Sequence, residues 1–207
     1  MTSKRLAEFF EKLEKTASRN EMTEVLAELF KEAAAAEIDK ICYLSLGRLA
    51  PRFAAVKFNL AEKMMVRILS QAFGADAADI QKEYKKVGDL GEVGKRAAQS
   101  SRPQRQQAVL RGGQAKPKTQ NFSVGEVFKR LLEIAEASGT GSQEKKIRLF
   151  AELLSQLDPL SVKYIVRVPL EKLRLGFSDV TILDALSWMI AGDKSSRGDI
   201  ERAYNVR

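Results

Sequence analysis

Apolar residues recur at three- and four-residue spacing along almost the whole chain, and nowhere do they settle into a period of two. Leu6, Phe9, Phe10 and Leu13 fall on one face of a 3.6-residue helix, and Met22, Val25, Leu26, Leu29, Phe30 and Ala33 on one face of the next. Leu60, Met64, Ile68, Leu69 and Phe73 form a third stripe. Later in the chain the stripes are Val127, Phe128, Leu131, Leu132 and Ala135; then Ile147, Phe150, Leu153, Leu154 and Leu157; then Ile182, Leu183, Leu186, Met189 and Ile190. An amphipathic helix must cover its apolar face with another element, and no strand is legible to do so. The pattern predicts an all-α fold, with Trp188 in the core among its apolar neighbours.

Local signals mark where these helices begin and end. Asn59 with Glu62, and Ser123 with Glu126, have the spacing of capping boxes. Asp158-Pro159 reads as an N-cap followed by proline in the first helical position, and Ser142 reads as a further cap. Gly74, Gly139 and Gly192 stand where helices should stop.

The two halves of the chain resemble each other. Phe58-Asn59-Leu60-Ala61-Glu62 aligns with Leu175-Gly176-Phe177-Ser178-Asp179, and Met65-Val66 and Leu69-Ser70 align with Ile182-Leu183 and Leu186-Ser187 at the same offset of 117. Upstream, EVLAELF at 24–30 parallels RLFAELL at 148–154, and Leu49 takes the place of Leu173. Caps, turns and stripes recur in one order, which predicts an internal repeat. The expected architecture is one domain of about ten to twelve helices, built from two pseudo-twofold-related halves. The halves span 1–97 and 122–192, and a basic loop covers 98–121.

Composition removes several chemistries. The 207 residues include no histidine and one cysteine, Cys42. His-based triads, His general bases, intrachain disulfides and the usual Cys/His zinc sites are therefore excluded. GDLGEVG at 88–94 spaces glycines in threes, but no strand precedes it, so a dinucleotide fingerprint fails on context. GTGSQEKK at 139–146 lacks P-loop spacing. No apolar run approaches the ~20 residues that span a bilayer, so a soluble, intracellular protein is expected, cytoplasmic if prokaryotic.

Charge points elsewhere. The chain carries 35 Lys+Arg against 27 Asp+Glu. Between Val93 and Gly125 stand Lys95, Arg96, Arg102, Arg105, Arg111, Lys116 and Lys118 with no acid among them. Such a segment is either a solvated linker or a contact for a polyanion. Small and basic residues also gather at inter-helix turns: Ser18-Arg19-Asn20, its counterpart around Ser142, Lys145 and Lys146, and the matched pair Leu46-Gly47-Arg48-Leu49 and Leu173-Arg174-Leu175-Gly176. Unpaired N–H groups and a positive dipole end at a helix start suit a phosphate, while Glu62 and Asp179 in first turns oppose one.

At these turns the sequence resembles the N-terminal DNA-binding domain of ATP-dependent DNA ligases of the archaeal and eukaryotic type. The resemblance lies in FFEKLEKTASRNEM, ICYLSLGRLAP, FNLAEKMMVRILSQAFG, KKVGDLGEVGKRAAQSSR, KYIVRVPLEKLRLGFSDVTILDALS and IERAYNVR, in family order from end to end. Asn59 departs from the family glycine, and Phe177-Ser178 from the usual Leu-Gly or Leu-Ala. The resemblance implies a helical domain that binds nicked duplex DNA through minor-groove backbone contacts with little sequence preference. By position its DNA contacts fall on Arg19, Gly47, Arg48, Ser101, Arg102, Ser142, Lys145, Lys146, Arg174 and Gly176. Lys172, Lys116 and Lys118 are added on charge alone.

The resemblance further implies a parent ligase whose other domains use ATP and Mg²⁺, with 193–207 beginning a linker to the catalytic domain. The family's adenylated Lys-x-Asp-Gly motif does not occur in this chain, so the chain alone is expected to bind, as a monomer, without sealing. No catalytic residue, metal ligand or cofactor is expected on it. Two other classes remain open on the residues: a helical-repeat module that binds a protein, and an RNA binder acting through the basic loop.

Overall fold

Each apolar stripe falls on a helix or within two residues of its ends in the computed structural model, which describes residues 1–54, 56–110 and 120–205, and of residues 52, 102–110 and 205 the backbone alone. The helices are α1 (Ser3–Lys15), α2 (Arg19–Glu32), α3 (Ile38–Ser45), α4 (Glu62–Phe73), α5 (Ala77–Val87) and α6 (Leu90–Leu110) in the first part. They continue as α7 (Val124–Glu136), α8 (Ser142–Gln156), α9 (Pro159–Arg167), α10 (Asp179–Ala191) and α11 (Arg197–Asn205). No sheet forms among the described residues; one isolated bridge joins Thr2 and Ser123.

That bridge shows how the halves are related. Thr2 caps α1 and Ser123 caps α7. The Ser3 N–H donates to the Phe122 carbonyl and the Val124 N–H to the Met1 carbonyl, so each half does to the other what the other does to it. Helix packing follows the same reciprocity. α2 lies on α10 as α8 lies on α4, and α1 lies on α9 as α7 lies on α3. The halves thus interleave, each covering the other's apolar faces. Phe9, Leu13, Leu26, Leu29, Phe30, Met65, Ile68, Leu69, Phe150 and Tyr164 fill one shared core, almost wholly buried.

The caps divide into those that form and those that do not. Ser123 and Glu126 make the expected capping box, and Asp158 accepts from the Leu160 and Ser161 N–H groups ahead of α9. Asn59 and Glu62 do not. Asn59 adopts a left-handed conformation at φ 51°, and Ala61 becomes the N-cap of α4 without a side-chain hydrogen bond. Ser142 is likewise the first residue of α8, with Gly141 before it as N-cap. Trp188 is half-buried, with its indole Nε1 shut off from solvent and unpartnered among the described residues.

Two boundaries differ from expectation. The segment expected as a loop from 98 continues as α6 to Leu110, because Leu90, Val93, Ala98 and Ser101 extend one buried stripe. Positions 111–119, including Arg111, Lys116 and Lys118, lie outside the described residues. The expected linker from 193 contains α11, which packs on α10 as α5 packs on α4. Lys194 and Arg197 pair there with the buried Asp184 carboxylate at 3.0 and 2.9 Å.

The three-residue glycine spacing of GDLGEVG is a packing device. A Cβ on Gly91 would lie 2.8 Å from Arg167 Cγ and closer still to the Lys163 carbonyl oxygen; one on Gly94 would lie 3.1 Å from Leu69 and 3.2 Å from Val162. Absent side chains let α6 approach α9 more closely than any other residue would allow.

Candidate nucleic-acid interface

The α1–α2 turn leaves Ser18, Arg19 and Asn20 exposed, with Ser18 accepting from the Glu21 N–H. Its counterpart before α8 runs through Gly139 and Gly141, both left-handed, to a half-buried Ser142 and exposed Lys145. Neither Arg19 nor Lys145 has an ion-pair partner among the described residues. Glu144, the acid in the first turn of α8, is held by Arg67 at 2.9 Å.

Each helix start packs on a loop of the opposite half. The first turn of α2 meets the LRLG loop, where a Cβ on Gly176 would touch Met22 Cε at 3.5 Å. The first turn of α8 meets the loop before α4, where Lys146 Nζ donates to the Phe58 carbonyl at 2.8 Å. At the offset of 117 Phe58 corresponds to Leu175, and Asn59 to Gly176, the two being left-handed at φ 51° and 78°. Two related composite turns result: Arg19 with Arg174 and Gly176, and Lys145 with Lys57 and Asn59. Lys57 is the positional counterpart of Arg174 and is exposed; the constant offset marked it, and sequence reasoning passed over it.

The loops 46–51, 56–63 and 168–173 line an open cleft, with Gly47 turning left-handed against Leu173. Two ion pairs between the halves border it. Arg48 makes a bidentate pair with Asp179, both bonds 3.1 Å, and Lys172 approaches Glu62 at 2.6 Å. These are counterparts: Lys172 follows the repeat of Arg48, and Asp179 that of Glu62. The hydrogen bond from Lys172 holds the Glu62 carboxyl below its ordinary pKa. First-turn acids thus occupy two of the expected phosphate ligands.

Arg174 is fixed from behind. It is left-handed at φ 59°, donates to the Gly88 carbonyl at 3.3 Å and lies 3.7 Å from Asp89. Asp89 caps α6 through the Gly91 N–H at 2.8 Å and pairs with the buried Arg167. Arg167 also reaches Glu14 at 3.0 Å, and Lys163 reaches Glu14 at 2.9 Å and Glu92 at 3.4 Å. Burial pushes the Glu14 carboxyl up, but hydrogen bonds from Arg167, Lys163 and Tyr164 outweigh it and bring it down to about 2. This ionic knot pins α1, α6 and α9 beneath the LRLG loop.

Two expected contacts do not face solvent. Lys146 is 6% exposed, its ammonium turned inward onto the Phe58 and Ala135 carbonyls. Ser101 is buried on the α6 stripe, its hydroxyl donating to the Ala98 carbonyl. Both sit on the apolar face of their helices, so helical geometry turns their side chains inward. Arg102 lies in α6, and its side chain is outside the described residues. Among the described residues no group of three acidic or sulfur side chains is placed to hold a metal. Nor is any helix long and apolar enough to cross a membrane.

The sequence profile of the family described as DNA ligase N terminus matches residues 2–187. The chain belongs to this family. A probable DNA ligase of Aquifex aeolicus is 43% identical over 97% of the chain, and DNA ligase 2 of Thermofilum pendens 40% identical over 96%. A DNA ligase of Acidianus ambivalens is 39% identical over the whole chain. The chain spans only 32%, 32% and 34% of these three relatives, about a third of each. As a DNA ligase N-terminal domain it is all-helical, with the interleaved halves and composite turns described above.

Proposed function

We propose that this DNA ligase N-terminal domain grips nicked duplex DNA by its sugar-phosphate backbones, from the minor-groove side and without sequence preference. The observation that carries this reading is the pair of related composite turns. Each joins a helix start of one half to a left-handed turn of the other and presents exposed cations: Arg19 and Arg174 in one, Lys145 and Lys57 in the other. Backbone N–H groups and flexible cations contact phosphates irrespective of base identity, and two such grips span more than one phosphate. Aromatic stacking platforms for a single strand are not part of either turn.

The domain acts here as a monomeric substrate holder inside an intracellular ligase. Phosphodiester formation, with ATP and Mg²⁺, belongs to the remaining two thirds of the parent enzyme, and no step on this chain runs through them. The test is a titration of the domain with fluorescent nicked duplex, intact duplex and single strands at several salt concentrations. With about six phosphates engaged, log K against log salt has a slope near −5, a loss of ~10³ in affinity from 50 to 200 mM. Arg174→Ala and Lys145→Ala each lower the slope by about 1 and weaken different DNA sequences equally. A sequence-selective loss, or salt-insensitive binding, refutes the reading.

A further inference from the structure

Lys146 is a buried cation without a carboxylate among the described residues. Its ammonium donates to the Phe58 carbonyl at 2.8 Å and the Ala135 carbonyl at 3.1 Å, and burial lowers its pKa. A charge so placed carries a desolvation cost that only its hydrogen bonds to these two carbonyls offset. Its counterpart in the other half is Met22, which fills the same place beside Gly176 without any charge.

We infer that Lys146 is a positioning residue: by holding the Phe58 carbonyl inward it turns the Asn59 N–H outward as a backbone donor for a DNA phosphate. The inference rests on the composite turns being the DNA grip. Its geometry is that of the peptide unit. In a trans peptide the C=O of one residue and the N–H of the next point in opposite directions, and no cis peptide occurs among the described residues. Phe58 is buried, Asn59 is exposed, and no acceptor takes the Asn59 N–H among the described residues. The other half needs no such tether. Gly176 enters the left-handed region at no steric cost, whereas Asn59 at φ 51°, although of the non-glycine type that enters it most readily, keeps a cost that a tether can offset. Lys146 thus restores, with a side chain, an orientation that glycine reaches unaided, and it adds a positive field behind the start of α8.

The experiment follows backbone amides by ¹H–¹⁵N spectroscopy while the full 207-residue chain is titrated with nicked duplex. In the wild type the Asn59 amide shifts on binding. In Lys146→Met, which copies the residue of the other half, that shift is lost and affinity falls about tenfold, the worth of one hydrogen bond to a charged group. The salt slope then falls by less than in Lys145→Ala, which leaves the Asn59 shift in place. If the wild type binds the duplex with the Asn59 amide unmoved, the inference is overturned whatever the variant does. It is equally overturned if Lys146→Met keeps both the shift and the affinity. If the wild type fails to bind duplex at all, the grip itself falls, and this inference with it.

Discussion

Replacing Gly91 with alanine tests the close approach of α6 to α9. The new Cβ lies 2.8 Å from Arg167 Cγ and 2.9 Å from its Nε, with the Lys163 carbonyl oxygen nearer still, where ordinary contacts begin at 3.4 Å. The side chain of Arg167 cannot retreat, because it is 3% exposed and pinned by Asp89 and Glu14, and the backbone oxygen is fixed in α9. α6 must therefore move outward by roughly 1 Å, opening the contact at Gly94 and loosening Asp89 from Arg167. Overpacking costs about 1–3 kcal/mol, and a backbone obstacle puts this case at the upper end. Higher helix propensity returns at most about 1 kcal/mol, leaving a net loss of about 2 kcal/mol. For a chain of this size that lowers Tm by about 4–8 °C.

Gly125 is the control, since it is the second residue of α7 just as Gly91 is of α6, and its Cβ would meet nothing nearer than 3.9 Å. Gly125→Ala is expected to stabilise by about 0.5 kcal/mol. Both are read from urea unfolding followed by circular dichroism at 222 nm, with the m-value required to stay constant. Equal or greater stability in Gly91→Ala would refute the account of the glycine spacing.

The remaining predictions concern charge. The carboxyl of Glu14 lies at about 2 when folded against an ordinary 4.5, so its stabilisation is complete above 4.5 and is lost as pH falls towards 2. Allowing for partial exposure, this amounts to about 1–2 kcal/mol, and Glu14→Gln flattens the stability–pH curve in that window, as checked by urea midpoints from pH 2.5 to 6. Glu62→Gln releases Lys172 from its partner. Nicked-duplex affinity is expected to rise a few-fold at low salt and the salt slope to steepen by about 1, as measured by fluorescence anisotropy; unchanged binding would show that Lys172 never meets phosphate.

Sequence legibility followed the range of each interaction. The helices were legible because their stripes are local, and so were the caps at Ser123 and Asp158. The repeat was legible from its constant offset, which also pointed to Lys57 beside the better-marked Arg174. Asn59 misled because capping-box spacing describes side chains, whereas the decisive fact is a left-handed backbone. Lys146 and Ser101 carry polar names on apolar faces. Lys146 stands four residues before Phe150 and Ser101 three after Ala98, and that periodicity outweighs residue type. The pairs Arg48–Asp179 and Lys172–Glu62 join residues 131 and 110 apart, and no local pattern encodes a partner at such a distance.

The interleaving of the halves gives the domain the geometry of a segment-exchanged dimer whose two subunits share one chain. In a dimer of identical copies, any substitution appears twice, and association fails on dilution. Tethering removes both constraints: the partner's effective concentration is set by the connection rather than by the amount of protein. The copies are then free to differ position by position, as they do at the left-handed turn, glycine against asparagine, and beneath it, methionine against lysine. Under the proposed function, a duplex with a break in one strand is a nearly symmetric object with one asymmetric feature, which a near-symmetric holder with individually tunable jaws would match.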